Sequence, residues 1–422
     1  MIWHPFTSQA SSDLPLRIVR AEREFIYDES GKAYIDAIAS WWTVIHGHNH
    51  PSIRQAIHDQ LEKLDHVMLA GFTHAPAEQL AANLLSRSEG NFSHVFYSDN
   101  GSTAVEVMLK LARQYWVNRG EKQRRRFIRF DAAYHGDTFG AMSVAGPSLF
   151  TEPFSDLLFE TKTFAYLQRA NDEALFSQLA AYLEEEGTSL AGIILEPLVA
   201  AAGGMVFQQA QALARIVNMC RSRGILVLFD EVFTGLGRTG SFFAYEQAGV
   251  VPDLLALAKG LTGGVLPLAV TLVSPQVHAA FLSNRAEHTF YHGHTMTGNP
   301  VGCAAALASL RIFDEEKRLT QVQALESRMC ELWKSIATRH ATKIEDVRCR
   351  GAVSAVNLVS RAEASGYAFS WSKRLRAAAL EQGVVLRPLG NVLYVAPPYN
   401  IEAQNLDRVF EVIDSLLTNY EP

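Results

Sequence analysis

Cysteine is scarce in this chain of 422 residues: Cys220, Cys303, Cys330 and Cys349 are widely spaced, and no Cys-x-x-Cys pair occurs. That excludes a disulfide scaffold and suits free, mostly buried thiols in a reducing compartment. Long clean apolar runs are missing too. The stretches 189–207 and 251–273 are interrupted by Glu196 and Pro197, and by Asp253, Lys259 and Pro267, so neither supplies the roughly 20 apolar residues of a membrane span. The first residues, MIWHPFTSQASS, lack the basic-then-apolar layout of a secretion signal. A cytoplasmic location is the expectation. Basic charge is not in excess either: 38 Lys and Arg face 44 Asp and Glu, a net charge of −6, the wrong sign for a nucleic-acid binder. The one dense basic run, Arg124, Arg125, Arg126 and Arg129, reads as a solvated helix-to-strand connection. What remains is ordinary globular composition, 48% hydrophobic and 19% charged. The length suits a large domain plus a smaller one.

Pattern changes divide the chain. Residues 17–38 read as a hairpin, RIVRAEREFIY and KAYIDAIA about a turn at Asp28–Gly31. Helices open at Pro51 and near Pro76. From about residue 94, short apolar runs alternate with helical stretches: HVFY, RFIRF, AGIILE, GILVLFD, LLALA and LAVTLV. Such runs, without polar alternation, indicate strands buried on both faces of a mostly parallel sheet with helical crossovers. After about residue 310 come a long helix over roughly 297–337, broken once, then alternating strands with helices near 367–382 and 402–418. The fold class is α/β with a smaller α+β domain. The expected division is 1–50 as an N-terminal segment belonging to the small domain, 51–310 as the large domain, and 311–422 as the rest of the small one.

Ligands of open parallel sheets bind beyond the carboxyl ends of the strands. Asp230 and Glu231 follow GILVLF there; Lys259 and GLTGG follow LLALA. One crossover unit separates Asp230 from Lys259 and brings both to one sheet edge. The pair is either an ion pair or a pyridoxal 5'-phosphate site. In the second case the lysine forms a Schiff base with the cofactor aldehyde, and the aspartate keeps the ring nitrogen protonated. After HVFY, Gly101, Ser102 and Thr103 begin a helix whose free N–H groups could cradle a phosphate. A capping box of Ser102 or Thr103 with Glu106 explains the same residues. Tyr134, following RFIRF with His135 and Gly136, could stack on a cofactor ring or belong to the core.

Two motifs point elsewhere. GLGRTG (235–240) matches a dinucleotide fingerprint, yet 230–234 intervene after the strand and SFFAYEQ makes a poor Rossmann helix. HGHNH (46–50) and HGH (292–294) suggest metal, but no Asp or Cys cluster completes a ligand set.

Taken together, SDNGSTAVE, AYHGDTFGAMS, ILEPLVAAAGGM, LFDEVFTGLGRTG, ALAKGLTGG and HGHTMTGNP resemble the fold-type I pyridoxal-phosphate enzymes, and within them the class III aminotransferases. The resemblance runs through nearly the whole chain and implies a seven-stranded type of sheet. WHPFTS, ASWWTVIHGHNHP and GFTHAPAEQL are similar to the branch acting in biotin synthesis. That branch moves the amino group of S-adenosylmethionine to 8-amino-7-oxononanoate, in ping-pong fashion through the pyridoxamine form. The resemblance implies Lys259 as cofactor lysine and Asp230 as ring-nitrogen partner. It implies Gly101 and Ser102 at the phosphate, with His294 and Thr295 reaching it from the second subunit of a homodimer. Tyr134 would lie over the ring. Trp41, Trp42, Gly293 and Arg387 would line the substrate site, Arg387 clamping a carboxylate, with Arg238 as a second substrate-sensing arginine. Phe6 stands where the best-known members carry tyrosine. Trp41 and Trp42 as a pair favour adenosylmethionine as donor over lysine. The competing expectations are a class III enzyme for lysine, ornithine or 4-aminobutyrate, and a dehydrogenase built on GLGRTG. The intact Lys259 and Asp230 argue against a non-enzymatic binding module.

Overall fold

Six apolar runs and one polar one assemble the central sheet. In the computed structural model, which describes residues 2–8, 10, 15–359 and 370–420, its strands lie in the order His94–Ser98, Ala269–Val273, Leu254–Leu257, Leu226–Asp230, Leu190–Leu195, Arg126–Phe130 and Thr161–Phe164. Only Ala269–Val273 runs against its neighbours; the other pairings are parallel. Thr161–Phe164 is the strand that no apolar run announces, because it is an edge strand without fully buried side chains. In the middle of the sheet the apolar run serves two cores at once. Leu226 and Leu228 face one cluster, Val227 and Phe229 the other. A strand side chain alternates faces with period two, so a strand covered on both sides must be apolar throughout.

The helix Gly101–Asn118 covers one face through Val105, Met108, Leu109, Ala112 and Trp116, all buried, and the Trp116 Nε1–H donates to the carbonyl of Ala191 at 2.8 Å. Its start differs from the expected capping box. Asn100 is the N-cap, its Oδ1 accepting from the N–H of Thr103 at 3.0 Å while Thr103 Oγ1 accepts from the N–H of Asn100 at 3.2 Å. Glu106 is one turn too far along to cap, and instead accepts from Thr138 Oγ1 and the N–H of Ala141. A second difference lies between Asp230 and Lys259, where the crossover carries a short 3₁₀ turn, Ala244–Ala248, in place of a helix.

The N-terminal hairpin is a three-strand meander. Ile18–Glu22 and Phe25–Asp28 pair with one another because Arg23 turns the chain at φ 55°. Ala33–Asp36 adds to them, and Val384–Val385 joins it in parallel. The N-terminal and C-terminal ends of the chain thus share one sheet. The remaining C-terminal strands, Ile344–Arg350, Val353–Leu358 and Val392–Val395, form an antiparallel sheet. Helices Arg318–Arg339, Ser370–Glu381 and Ala403–Thr418 complete this region; residues 367–369 of the expected helix lie outside those described. No described helix is long and apolar enough to cross a membrane.

The expected break in the long helix falls between Pro300–Glu315 and Arg318–Arg339, at Lys317, an exposed residue with φ 51°. A left-handed backbone strains any L-residue with a Cβ. Lys317→Gly should therefore stabilise the protein by roughly 0.5–1 kcal/mol, measured as a raised urea midpoint with unchanged slope.

Candidate active site

Five parallel strands end at the same rim, and the residues that follow them enclose a cavity of about 710 Å³. Asn100, Gly101 and Ser102 come from the first strand end, Tyr134–Thr138 from the second, Glu196 from the third, Asp230 from the fourth and Lys259 from the fifth. Trp42 enters from the N-terminal region. The expectation that Asp230 and Lys259 share a sheet edge is met in geometry: Asp230 is opposite Ala256 in the parallel register.

The two groups face one cavity without pairing. Asp230 is 4% exposed. Its Oδ2 lies 2.7 Å from His135 Nδ1 and its Oδ1 accepts the N–H of Val232 at 3.0 Å, which fixes the carboxylate plane. The Lys259 amine makes no ion pair among the described residues; it lies over the rings of Trp42 and Phe233, 5.0 and 5.9 Å from their centroids. Burial pushes its pKa below the ordinary lysine value, while the Asp230 and Glu196 charges pull the other way. Its backbone is left-handed, φ 44°. Burial, then the nearby Asp230 carboxylate, raises Glu196 to about 7. Glu196 accepts the N–H groups of Tyr134 and Ala201 at 3.1 and 3.0 Å, so it holds the Tyr134 loop in place.

At the opposite wall the helix Gly101–Asn118 points its N-terminus into the cavity. Ser102 Oγ is 2.8 Å from Thr138 Oγ1 and accepts the N–H of Thr138 at 3.1 Å. The approach is close enough to demand glycine twice. A Cβ on Gly101 would stand 2.7 Å from Val232 Cγ1, and one on Gly136, at φ 117°, 2.4 Å from Ser102 Oγ.

Trp41 and Trp42 sit on a single left-handed turn. Residues 39–42 have φ of 48°, 44°, 64° and 75°, and the N–H of Thr43 reaches the carbonyl of Ala39 at 2.9 Å. Trp42 is buried against Phe233. Trp41 carries the Arg387 guanidinium over its ring at 4.5 Å and takes Phe6 edge-on at 5.3 Å. Phe6 also meets Phe150, which meets Tyr134. Tyr134 and Phe150 in turn line a second cavity of about 770 Å³, adjoining the first through Tyr134 and Ala202.

Six expected residues are outside the lining of this cavity: Trp41 and Arg387, stacked on each other, Arg238, and the run Gly293–Thr295. Gly293, His294 and Thr295 belong to a surface loop outside the cavity of their own chain. Arg238 does not line it either. Its guanidinium is 1% exposed and donates through Nη1 to the carbonyls of Ala352 and Pro397 at 3.0 and 2.9 Å, under the ring of Tyr399. Two residues given no role from sequence belong to the site, His135 and Glu196. Glu196 could have been found by the rule that found Asp230, since it ends AGIILE.

The class-III aminotransferase family matches residues 6–417. The chain belongs to that family. It is 43% identical to the adenosylmethionine-8-amino-7-oxononanoate aminotransferase of Synechococcus elongatus, over 99% of this chain and 98% of that one. The protein of the same name from Geobacter sulfurreducens is 41% identical, covering 98% and 94%. Among solved structures, the Methanocaldococcus jannaschii enzyme of that name superposes with a TM-score of 0.92 at 33% identity, covering 100% and 97%. An amine transaminase from an uncultivated Pseudomonas species, in a PLP-bound form, gives 0.92 at 31%, covering 99% and 98%.

In protein freed of any cofactor, Lys259 should react with an amine-selective label at a lower pH than surface lysines, because burial disfavours its charged form. Asp230 opposes that shift, so Asp230→Asn should move the midpoint lower still. Peptide mass spectrometry of labelling against pH checks both; an upward shift in the variant would contradict the assignment of the charges.

Proposed function

We propose that this aminotransferase moves the amino group of S-adenosylmethionine to 8-amino-7-oxononanoate, giving 7,8-diaminononanoate for biotin synthesis, with pyridoxal 5'-phosphate as cofactor. The observation that carries the chemistry is a buried amine and a buried carboxylate facing one cavity but not paired with each other, with a helix N-terminus at its wall. That donor set fits the cofactor's aldehyde, ring nitrogen and phosphate. The choice of substrates is supported by the relatives of that name at 43% and 41% identity across nearly the whole chain.

Lys259 would hold the cofactor and Asp230 its ring nitrogen, with Gly101 and Ser102 at the phosphate. When bound, the cofactor supplies an aldehyde that condenses with amines and a ring that accepts the electron pair left by C–H cleavage. Lys259 Nζ, buried and readily neutral, takes the proton from the donor α-carbon and returns one in the amino-transfer half. Asp230, its plane set by His135 and Val232, would keep a proton on the ring nitrogen. Tyr134 would cover the ring. Trp41 and Trp42 exclude water and offer apolar surface to the pelargonate chain. Arg387, oriented by the Trp41 face, anchors the carboxylate that both substrates carry. Phe6 backs Trp41 by edge contact, which a ring without a hydroxyl suffices to make.

The reading includes a homodimer in which Gly293, His294 and Thr295 serve the partner's site. Their place on a surface loop beside the exposed Tyr291 and Met296 supports it, and a two-fold dimer is the commonest assembly. The small domain would comprise 1–50 with 311–422, as the shared sheet through Val384–Val385 supports. Free thiols at all four cysteines suit a cytoplasmic location.

The test offers purified holoenzyme S-adenosylmethionine, lysine and ornithine separately and follows the near-visible absorbance. Conversion with S-adenosylmethionine alone is expected; conversion with lysine alone would redirect the donor assignment. Lys259→Ala should lose the band and essentially all turnover. Arg387→Ala should raise KM for both substrates by about tenfold or more, the loss of a charge-assisted contact; an effect on one substrate only would show that the anchor is not shared.

A further inference from the structure

The histidine-rich block HGHNH has no part in the chemistry above, and its three rings do not converge. His48 Nε2 pairs with Asp36 at 2.9 Å, His50 Nε2 with Glu316 at 3.0 Å, and His46, 1% exposed, lies between Ser309 and Arg318. The His46 contacts have only one consistent proton arrangement. Arg318 Nε can only donate, and does so to His46 Nδ1 at 3.1 Å. The proton of the neutral ring is therefore on Nε2, which donates to Ser309 Oγ at 3.0 Å. The Ser309 hydroxyl is left to donate onward, to the carbonyl of Gly260 at 3.3 Å. That carbonyl already accepts the N–H of Gly263 at 2.9 Å, closing the 3₁₀ turn Lys259–Thr262. Upstream, Arg318 is fully buried and ion-paired to Glu316 at 2.7 Å.

We infer that His46 and Ser309 are positioning residues, forming a one-way hydrogen-bond clamp from Arg318 to the Gly260 carbonyl that seats the left-handed Lys259 backbone and so aims its amine. The inference rests on the reading of Lys259 as the cofactor lysine. Three further contacts point to the same seat. A Cβ on Gly260 would lie 2.9 Å from Ile45 Cγ2, one on Gly263 3.4 Å from His46 Cδ2, and one on Gly264 2.9 Å from Thr43 Oγ1. The 43–46 segment is thus moulded onto the turn that carries the lysine. Arg318 cannot accept and the Gly260 carbonyl cannot donate, so the middle of the chain must be a group that accepts on one side and donates on the other. A neutral imidazole joined to a hydroxyl meets that requirement.

Ser309→Ala removes the last donor with little change of volume. Misplacing a reacting group by a fraction of an ångström costs rate rather than affinity. The holoenzyme variant should therefore lose about tenfold in kcat, with KM for both substrates within about twofold. Its induced circular dichroism in the near-visible band should change, and hydrogen exchange of residues 259–264 should speed up. Unchanged exchange would overturn the clamp, and faster exchange with unaltered kcat would overturn its positioning role. The exchange arm needs no cofactor, so it decides the clamp even if the aminotransferase reading fails in the Lys259→Ala test. A pair of His46 variants gives a second test. His46→Gln places an amide donor near Nε2, and His46→Asn places an acceptor near Nδ1. The clamp predicts higher kcat in the Gln variant; the reverse order would overturn it.

Discussion

An amine and a carboxylate buried together will collapse into an ion pair unless something holds them apart, and this site is built around preventing that. In a low-dielectric cavity their attraction is strong. Asp230 resists because both oxygens are committed, one to His135 and the other to the Val232 N–H. Lys259 resists because its backbone is locked in a left-handed turn and its amine rests on two aromatic faces. Both groups face the one cavity. Burial lowers the pKa of the amine, against the pull of the Asp230 and Glu196 charges.

Part of this was legible before any coordinates. Asp230 and Lys259 are polar residues placed just past apolar runs, and the rule that sheets bind ligands at their carboxyl edges selects them without reference to a family. Both faces of the sheet being covered was likewise readable from runs such as LVLF, which have no polar alternation. The helix start at Gly101 was readable, though its cap was misplaced by a turn because Asn, Ser and Thr stand side by side as competing caps.

Other features depend on which loops meet, and no local pattern encodes that. His135 and Glu196 gain their roles only when the second, third and fourth strand ends come together over one cavity. Arg238 occupies the expected place along the chain, yet its guanidinium turns away, because the carbonyls of Ala352 and Pro397, more than a hundred residues on, offer it a buried seat. The left-handed turn at 39–42 is the least readable of all. Positive φ is ordinarily announced by glycine or asparagine, and Ala39, Ser40, Trp41 and Trp42 contain neither.

Such strain is informative because of where it collects. A left-handed L-residue costs on the order of 1–2 kcal/mol, and residues 39–42 and Lys259 add several such costs at the rim of one cavity. A chain selected for stability alone would place glycine at these positions. Burial of Trp42 against Phe233 and Tyr394 offsets part of that strain, and Ile45, His46 and Ser309 pack against the Gly260–Gly263 turn that follows Lys259. The strained turn and the clamp therefore act as one device. Trp42 lines the pocket, residues 45–46 pack against the turn behind the lysine, and one short segment carries both. The Lys259 amine rests on the Trp42 ring at 5.0 Å, so the segment that carries Trp42 bears on the lysine from its side chain as well as from the turn behind it.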